Sequence, residues 1–276
     1  MTATPQATGH SGWDHPETPR YYETFCQRHD RYRWANALLV AQARLMPGLS
    51  VLDLGAGTGR TAEAALAAVP SGLRLLCIEP ADAMRAAGEV RLRGKPVLWT
   101  PSWSGLTQRF DRILAGASIW QLMPLAETIR RLAGLLAPDG RLCFNIPSLY
   151  LGIPDRAGAG ADPLLLGMPA LLAAPEGTAS PSEMPRETLP SPEGIDALLR
   201  ACLLTPERLH AEFRFTQEAY RDWLKIPPLT DRLLAGMAPA ERTRRIDEAF
   251  ARVDAGSWKA EGWFFWSACR GPGPLS

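Results

Sequence analysis

The chain has 276 residues and a formal net charge of +1; 46% of its residues are hydrophobic and 21% are charged. These values are ordinary for one large globular domain, and they exclude the basic excess that is typical of nucleic-acid-binding proteins. The five cysteines and four histidines show no metal-ligand spacing, residues 1–20 lack the pattern of a signal peptide, and no apolar run could span a bilayer, so we expect a cytoplasmic protein with no metal site and no membrane contact.

The N-terminal part is predicted to be a tail followed by helix. Residues 1–16 are rich in Thr, Pro, Gly and His, which predicts a disordered tail. From Pro19 to Met46, apolar residues recur at steps of three, four or seven, which indicates helix, and Pro47-Gly48 ends the pattern. We interpret residues 17–48 as a helical cap on the domain that follows.

Strands and helices then alternate. The predicted strands are residues 49–54, 73–78, 97–100, 111–116 and 141–146. The predicted helices are residues 61–69, 81–88 and 124–136. This order indicates parallel strands joined by right-handed crossovers, and the scarcity of polar positions is typical of a sheet covered on both faces. The sequence therefore predicts a doubly wound α/β fold with its ligand at the carboxyl ends of the strands.

The alternation stops at Pro147. Residues 148–190 are rich in Pro, Gly and Leu, and we interpret them either as a lid or as a packed insertion or dimer contact. After them we predict a helix at 191–203, a strand at 208–215, a helical insertion within 216–258 and an aromatic strand at 262–269. Residues 17–270 are thus predicted to be a single domain.

A glycine-rich turn follows the first predicted strand, in the stretch V-L-D-L-G-A-G-T-G-R from Val51 to Arg60. Such glycines let the chain bend tightly and let a ligand lie against the backbone, and the helix that follows presents free N–H groups. A P-loop requires a lysine that this turn lacks, and a dinucleotide site prefers glycine where Arg60 stands. The third ligand class to consider is S-adenosylmethionine (SAM).

The stretch resembles motif I of the class I SAM-dependent methyltransferases. In that family an acidic residue, here Asp53, precedes a G-x-G-x-G turn that contacts the methionine portion of SAM; alternatively, Asp53 only caps or braces the turn. A second acidic residue, here Glu79, ends the next strand and accepts hydrogen bonds from both ribose hydroxyls. The turn residues that the resemblance assigns to the cofactor are Gly55, Ala56, Gly57, Thr58 and Gly59.

The resemblance also indicates which residues lie around the adenine ring of SAM. Pro80 and Met84 resemble the apolar segment that covers this ring. The family usually carries an Asp after strand three, but here Ser102 or Trp103 takes that place, through a weaker hydrogen bond or by stacking on the purine. Ala117, after the fourth strand, completes the predicted cofactor site.

The same resemblance covers residues 49–147 and implies the rest of the fold. The stretches F-D-R-I-L-A-G-A-S-I-W-Q-L and P-D-G-R-L-C-F resemble the fourth-strand and fifth-strand motifs of the family. The element order after residue 190 agrees with its last hairpin. We therefore expect a mostly parallel seven-stranded sheet with a final antiparallel strand, an N-terminal helical cap and a lid insertion after strand five.

The acceptor site is less clearly marked. Methyl transfer from a sulfonium depends largely on positioning and on exclusion of water, so no catalytic motif is required. The candidate acceptor-binding residues are Tyr21, Tyr22, Trp120, Asn145 and Tyr150. His29 and Tyr22 are the candidate catalytic residues, although His29 could also be an ordinary surface histidine.

The sequence predicts a SAM-dependent methyltransferase with a small-molecule acceptor. The chain lacks the N/D-P-P-[YF] signature after strand four, which argues with its neutral charge against nucleic-acid substrates. The alternatives are an enzyme that uses SAM for intramolecular alkylation, a non-catalytic SAM-binding partner subunit and a nicotinamide oxidoreductase. A monomer and a homodimer are both compatible with the sequence.

Overall fold

In the part of the chain that the structure describes, eight strands form one mixed sheet with helices on both faces. The computed structural model describes residues 12–122, 124–173, 189–231, 233–234 and 237–270. The strands are β1 (Ser50–Leu54), β2 (Arg74–Ile78), β3 (Val97–Thr100), β4 (Phe110–Ala115), β5 (Leu136–Pro147), β6 (Arg156–Ala157), β7 (Leu204–Thr216) and β8 (Trp258–Arg270). The helices are α1 (Thr18–Arg28), α2 (Arg31–Ala43), α3 (Arg60–Ala68), α4 (Asp82–Arg91), α5 (Leu125–Gly134), α6 (Leu164–Ala173), α7 (Pro192–Ala201), α8 (Gln217–Leu224), α9 (Pro227–Thr230) and α10 (Pro239–Phe250).

The path through the sheet is β3-β2-β1-β4-β5-β8-β6, and β7, which lies off this path, pairs with β8 along its whole length. Strands β1 to β5 are parallel, whereas β8 runs antiparallel to β5 and β7. This confirms the predicted doubly wound sheet with a final antiparallel strand. The additional strand, β6, lies in the predicted lid and pairs with Lys259 and Ala260 of β8. Two residues are too few to show strand periodicity in a sequence.

The N-terminal cap consists of two helices where the sequence pattern indicates one continuous helix. His29 has extended backbone angles, and Asp30 precedes α2 as its N-cap residue. The Asp30 side chain makes no capping hydrogen bond and instead pairs with Arg33 (2.5 Å), so the break lies in the extended backbone of His29, which the apolar spacing does not reveal. Residues 1–11 of the predicted tail lie outside the described residues, while Trp13 contacts the ring of Tyr22 with 6.4 Å between ring centres.

Two apolar cores cover the two faces of the sheet. One core packs helices α1, α2, α3, α6, α8 and α10 against the face that includes Val51 and Leu114. The other packs α5 and α7 against the face that includes Leu52 and Ile113. Because neighbouring strand residues point to opposite faces, both sides of each central strand are buried, as the continuous apolar runs predicted.

The segment after β5 is partly described. It contains a short 3-10 helix at Ser148–Leu151, strand β6 and helix α6. Residues 174–188 of the predicted lid lie outside the described residues. The predicted helical insertion at 216–258 contains helices α8, α9 and α10. In the described ranges, no helix has both the length and the apolar character needed to cross a bilayer.

Candidate active site

The glycine turn has a backbone that only glycine adopts without strain. Gly55 and Gly59 have φ values of 67° and 81°, in the left-handed region. A Cβ added at Gly55 would lie 2.6 Å from the Cβ of Ser118, and one at Gly59 would lie 2.8 Å from Cδ1 of Leu92. The turn is therefore held closely between the end of β4 and the end of α4.

Glu79 connects the turn to the next strand. It lies directly after β2, is 8% exposed, and accepts hydrogen bonds from the N–H groups of Gly57 (2.7 Å) and Ala81 (2.8 Å). Burial raises the pKa of its carboxyl group, and the two N–H groups partly offset that shift. Met84 packs beside the turn, 3.6 Å from the position of a Cβ on Gly57. The structure thus brings Glu79, Met84 and the turn together, as predicted.

Asp53 is a fully buried carboxyl group beneath the turn. Within the described residues, neither of its oxygens accepts a well-formed hydrogen bond, although the N–H of Ala62 lies close enough to lower its pKa in part. Burial dominates and, with the nearby charge of Glu79, raises the pKa of Asp53 to about 7. An unpaired buried carboxylate is unfavourable, so Asp53 exchanges a proton near neutral pH.

The two residues predicted beside the adenine differ in environment. Trp103 is buried. The guanidinium of Arg131 lies over one face of its indole, 4.4 Å from the ring centre. Ser102 is exposed, and its hydroxyl accepts a hydrogen bond from the N–H of Ser104 (3.0 Å). Pro80 is exposed beside Glu79. Their roles in adenine binding stay predictions.

The side chain of Glu23 connects helix α1 to the glycine turn, and the sequence did not predict this contact. The carboxylate of Glu23 accepts hydrogen bonds from the Thr58 hydroxyl and the Arg60 guanidinium, and it forms an ion pair with Arg91. We call Glu23, Thr58, Arg60 and Arg91 the Glu23 cluster. These residues come from α1, the turn, α3 and α4, so no local pattern in the sequence could have indicated their contact.

The predicted acceptor residues fall into two groups. Tyr21 and Tyr22 lie on α1, and the ring of Tyr22 is 5.3 Å from that of Tyr32. Trp120 and Tyr150 stack with ring centres 4.9 Å apart, after β4 and β5. Asn145 is fully buried near the end of β5. It accepts a hydrogen bond from the N–H of Ala117 (2.7 Å), whose φ of 54° is left-handed.

The candidate catalytic residues have different environments. His29 Nε2 lies 3.0 Å from Oδ2 of Asp222, and its ring contacts Phe25, so its contacts are with α1 and α8 rather than with the turn. Burial raises the pKa of Tyr22 well above its usual range, and the neighbouring Cys26 adds to the shift. The catalytic roles of His29 and Tyr22 stay predictions.

A buried group of charged residues lies beyond the end of β5. Arg31 donates two hydrogen bonds to Glu261, at 2.7 and 2.6 Å, and Lys259 forms an ion pair with Asp155 at 2.7 Å. Although burial favours a neutral Glu261, Arg31 keeps the pKa of this carboxyl below its usual range. The rings within 5.2 Å of the Arg31 guanidinium are those of Tyr32, Phe215, Trp223 and Trp263.

The sequence did contain a signal for this group. In the stretch W-K-A-E-G-W, Lys259 and Glu261 occupy alternate positions of an aromatic strand, so their side chains leave the same face of the sheet. Two opposite charges on a buried face require partners. The sequence could not identify those partners, because Arg31 and Asp155 are distant along the chain.

Comparisons with known proteins agree with this architecture. The family model described as "Methyltransferase domain" matches residues 26–189, which is more than half of the chain. The fold is similar to that of YcgJ from Bacillus subtilis, with 15% identity, a TM-score of 0.54, and coverage of 87% of this chain and 99% of that one. A comparison with curated proteins finds no match.

Two further solved structures share the fold at similarly low identity. The cyclopropane synthase MmaA2 from Mycobacterium tuberculosis is 17% identical, with a TM-score of 0.52 and coverage of 84% of this chain and 82% of that one. A phosphoethanolamine N-methyltransferase 2 from Haemonchus contortus, in complex with phosphomonomethylethanolamine and S-adenosylhomocysteine, is 14% identical, with a TM-score of 0.50 and coverage of 85% and 52%. With the family match, the fold and the glycine turn in place, the chain belongs to the methyltransferase domain family and is a class I SAM-dependent methyltransferase, an enzyme with SAM as its cofactor.

Proposed function

We propose that this enzyme transfers the methyl group of SAM to a small-molecule acceptor by in-line displacement. The observation that carries this proposal is the enclosure of the glycine turn: α1 contacts it through Glu23, and the stacked Trp120 and Tyr150 lie at the ends of the neighbouring strands. This arrangement favours a small, partly apolar acceptor over a polymer, which requires an open and basic groove.

The cofactor residues are proposed from their geometry. Glu79 presents a carboxylate beside the turn, where its two oxygens could accept hydrogen bonds from the ribose hydroxyls. Met84 and Pro80 would contact the adenine side, with Ser102 or Trp103 completing it, and Ala117 would face the methionine portion. Asp53, fully buried, would act as a positioning residue beneath the turn rather than touch the cofactor.

The acceptor would lie between the two aromatic groups. Tyr21 and Tyr22 would line it from α1, while Trp120, Tyr150 and Asn145 would line it from the ends of β4 and β5. When bound, SAM would supply an electrophilic methyl group: a lone pair of the acceptor would form the new bond to that carbon as its bond to sulfur breaks, with S-adenosylhomocysteine as the leaving group. Any proton that the acceptor loses passes to water or to a base, for which His29, paired with Asp222, is the candidate.

The proposed setting is the cytoplasm. All five cysteines are free thiols, and Cys77 and Cys143 are buried. Burial raises the pKa of both thiols, which makes them poor nucleophiles. Unpaired, unreactive thiols suit a reducing compartment.

Mass spectrometry of the reaction products tests the proposal. The full chain is incubated with SAM labelled at the methyl carbon and with fractionated metabolite extracts, beside a Glu79→Ala control. We expect S-adenosylhomocysteine and one product heavier by the labelled methyl group, both much reduced in the control. Methylthioadenosine with an unlabelled cyclic product would favour intramolecular alkylation, and binding of SAM without any product would favour a partner subunit.

A further inference from the structure

We propose that Thr58, Arg60 and Arg91 form the site for the amino-acid carboxylate of SAM, and that Glu23 occupies this site as an intramolecular competitor. The inference rests on the proposed placement of SAM over the glycine turn. It assigns to α1 a second role besides lining the acceptor site: the helix stays over the turn, and only the Glu23 side chain must leave before the cofactor is fully bound.

The contacts of Glu23 are those of a bound carboxylate ligand. Arg60 approaches it with two nitrogens, Nη2 toward one oxygen and Nε toward the other at 3.3 Å. The Thr58 hydroxyl and the Arg91 guanidinium also contact this carboxylate. A guanidinium that meets both oxygens of a carboxylate is the strongest common arrangement for recognising this group.

The position of the cluster suits the cofactor. Thr58 belongs to the glycine turn and is 1% exposed, and Arg60 is the first residue of α3. The free N–H groups and the dipole at this helix terminus add to the attraction of the two arginines for an anion. In the proposed placement, the methionine portion of SAM lies over the same turn and carries a carboxylate.

The exchange would keep a carboxylate between the two arginines. Glu23, Arg60 and Arg91 are all about one-fifth exposed or less, so removing the carboxylate without replacement would leave two arginines close together in a poorly hydrated place. A ligand carboxylate replaces the lost charge. Arg91 Nε, which is buried and has no hydrogen-bond partner in the described part of the chain, offers a further donor.

Glu63 provides a control that distinguishes occupation of the carboxylate site by Glu23 from the general effect of a negative charge near the two arginines. Glu63 also contacts Arg60 and Arg91, both at 3.5 Å, but its side chain is 47% exposed and it lies on α3 rather than on α1. Replacing either glutamate by glutamine removes one negative charge near the same two arginines. Only Glu23 fills the proposed carboxylate site.

The test is calorimetric titration of the full chain with two ligands. S-adenosylhomocysteine carries the carboxylate, whereas 5′-methylthioadenosine has the same nucleoside without the amino-acid end. We expect Glu23→Gln to tighten S-adenosylhomocysteine binding by about tenfold, because the binding-competent state becomes more populated. Methylthioadenosine binding should not change, and Glu63→Gln should leave both affinities within about twofold. Arg60→Gln should weaken S-adenosylhomocysteine alone.

Each outcome decides one question. Equal changes for both ligands in Glu23→Gln, or no change for either, would overturn the inference while the proposed function stands. Equal losses in Arg60→Gln would show that Arg60 only supports the turn, which also overturns it. A parent chain that binds neither ligand would contradict the placement of SAM itself. Thermal unfolding of each variant verifies that the chain is folded.

Discussion

Glu79 is the residue on which the proposed ribose contact depends. In Glu79→Gln, one of the two backbone N–H groups would face an NH2 group in place of an oxygen. We expect the dissociation constant for SAM to rise ~10- to 100-fold, since hydrogen bonds to charged groups contribute about 1.5–3 kcal/mol. Calorimetric titration measures this. Glu89→Gln, an exposed change on α4, is the control, and an unchanged constant in Glu79→Gln would remove the ribose assignment.

Asp53 gives a pH dependence of stability with an unusual sign. Its pKa is about 7 in the folded chain, against 3.8 as its ordinary value. Between these two pKa values the folded chain holds a proton on Asp53 that the unfolded chain has lost, so the free energy of unfolding falls as pH rises. Above pH 7 Asp53 is ionised in both states, and the loss of stability caused by its buried charge has reached its full size. We expect Asp53→Asn to be more stable than the parent at pH 8, by on the order of 2 kcal/mol, and to lose this advantage towards pH 4.

Denaturant unfolding at pH 5 and pH 8 measures the Asp53 effect. Asp111→Asn provides a contrast of opposite sign, because hydrogen bonds from Ser50 hold the pKa of Asp111 below its ordinary value despite some burial. Its contribution is present at neutral pH and is lost as pH falls through the folded-state pKa. A parallel pH trend in the two variants would contradict the assignment for Asp53.

At the scale of elements, the Arg31–Glu261 pair joins α2 to β8. We expect Glu261→Gln to destabilise the chain by about 3–5 kcal/mol, because Arg31 would keep a buried charge without a counter-charge. The double variant Arg31→Met, Glu261→Leu should cost less than the sum of the two single changes, since the aromatic rings around Arg31 can pack on methionine. Denaturant unfolding of the four proteins gives the coupling energy.

The control for the ion pair lies on the surface. Arg244 and Glu248 form an exposed pair within α10, with side chains 63% and 60% exposed. Glu248→Gln should change the free energy of unfolding by less than ~1 kcal/mol, as for most exposed pairs. Additive costs in the Arg31–Glu261 cycle would mean that each residue contributes through its own packing instead of through the pair.

The elements that the sequence predicted are those with a strong local pattern. Strands β1, β2 and β4 are mostly apolar apart from Asp53 and the polar residues near their starts, and the turn after β1 has glycines at alternate positions. Both patterns lie within a few consecutive residues. The break at His29 was not predicted, because apolar spacing continues on both sides of it. Strand β6 exists only through its pairing with β8, which no window of two residues can show.

At the scale of the whole molecule, cofactor binding should stabilise the fold. S-adenosylhomocysteine at 100 times its dissociation constant adds about 2.7 kcal/mol to the free energy of unfolding. For a chain of this size, that corresponds to a rise of about 5–10 °C in Tm. A thermal shift assay measures it, with NADH as the control ligand; a rise with NADH alone would contradict the cofactor assignment.

The residues of the candidate site could be predicted only where they lie close together in the sequence or at a regular spacing from the glycine turn. Glu79 follows from its position after the strand next to the turn, and the structure does bring it to Gly57. The Glu23 cluster and the Arg31–Glu261 pair depend on the packing of distant segments, which hydrophobic periodicity does not encode. The helical members of these groups look like ordinary solvent-exposed positions until the tertiary structure is known, whereas Glu261 lies on the aromatic strand β8, where the sequence signals a buried charge but not its partner.

The separation of Arg31 and Glu261 has a consequence for how the chain is made. Arg31 emerges from the ribosome 230 residues before its partner, a delay of roughly 10–50 s at common rates of synthesis. Until β8 is made, the cap helices lack the counter-charge and the aromatic surface of Trp263 against which Arg31 is buried. The cap of the nascent enzyme therefore cannot complete its docking until β8 has been made.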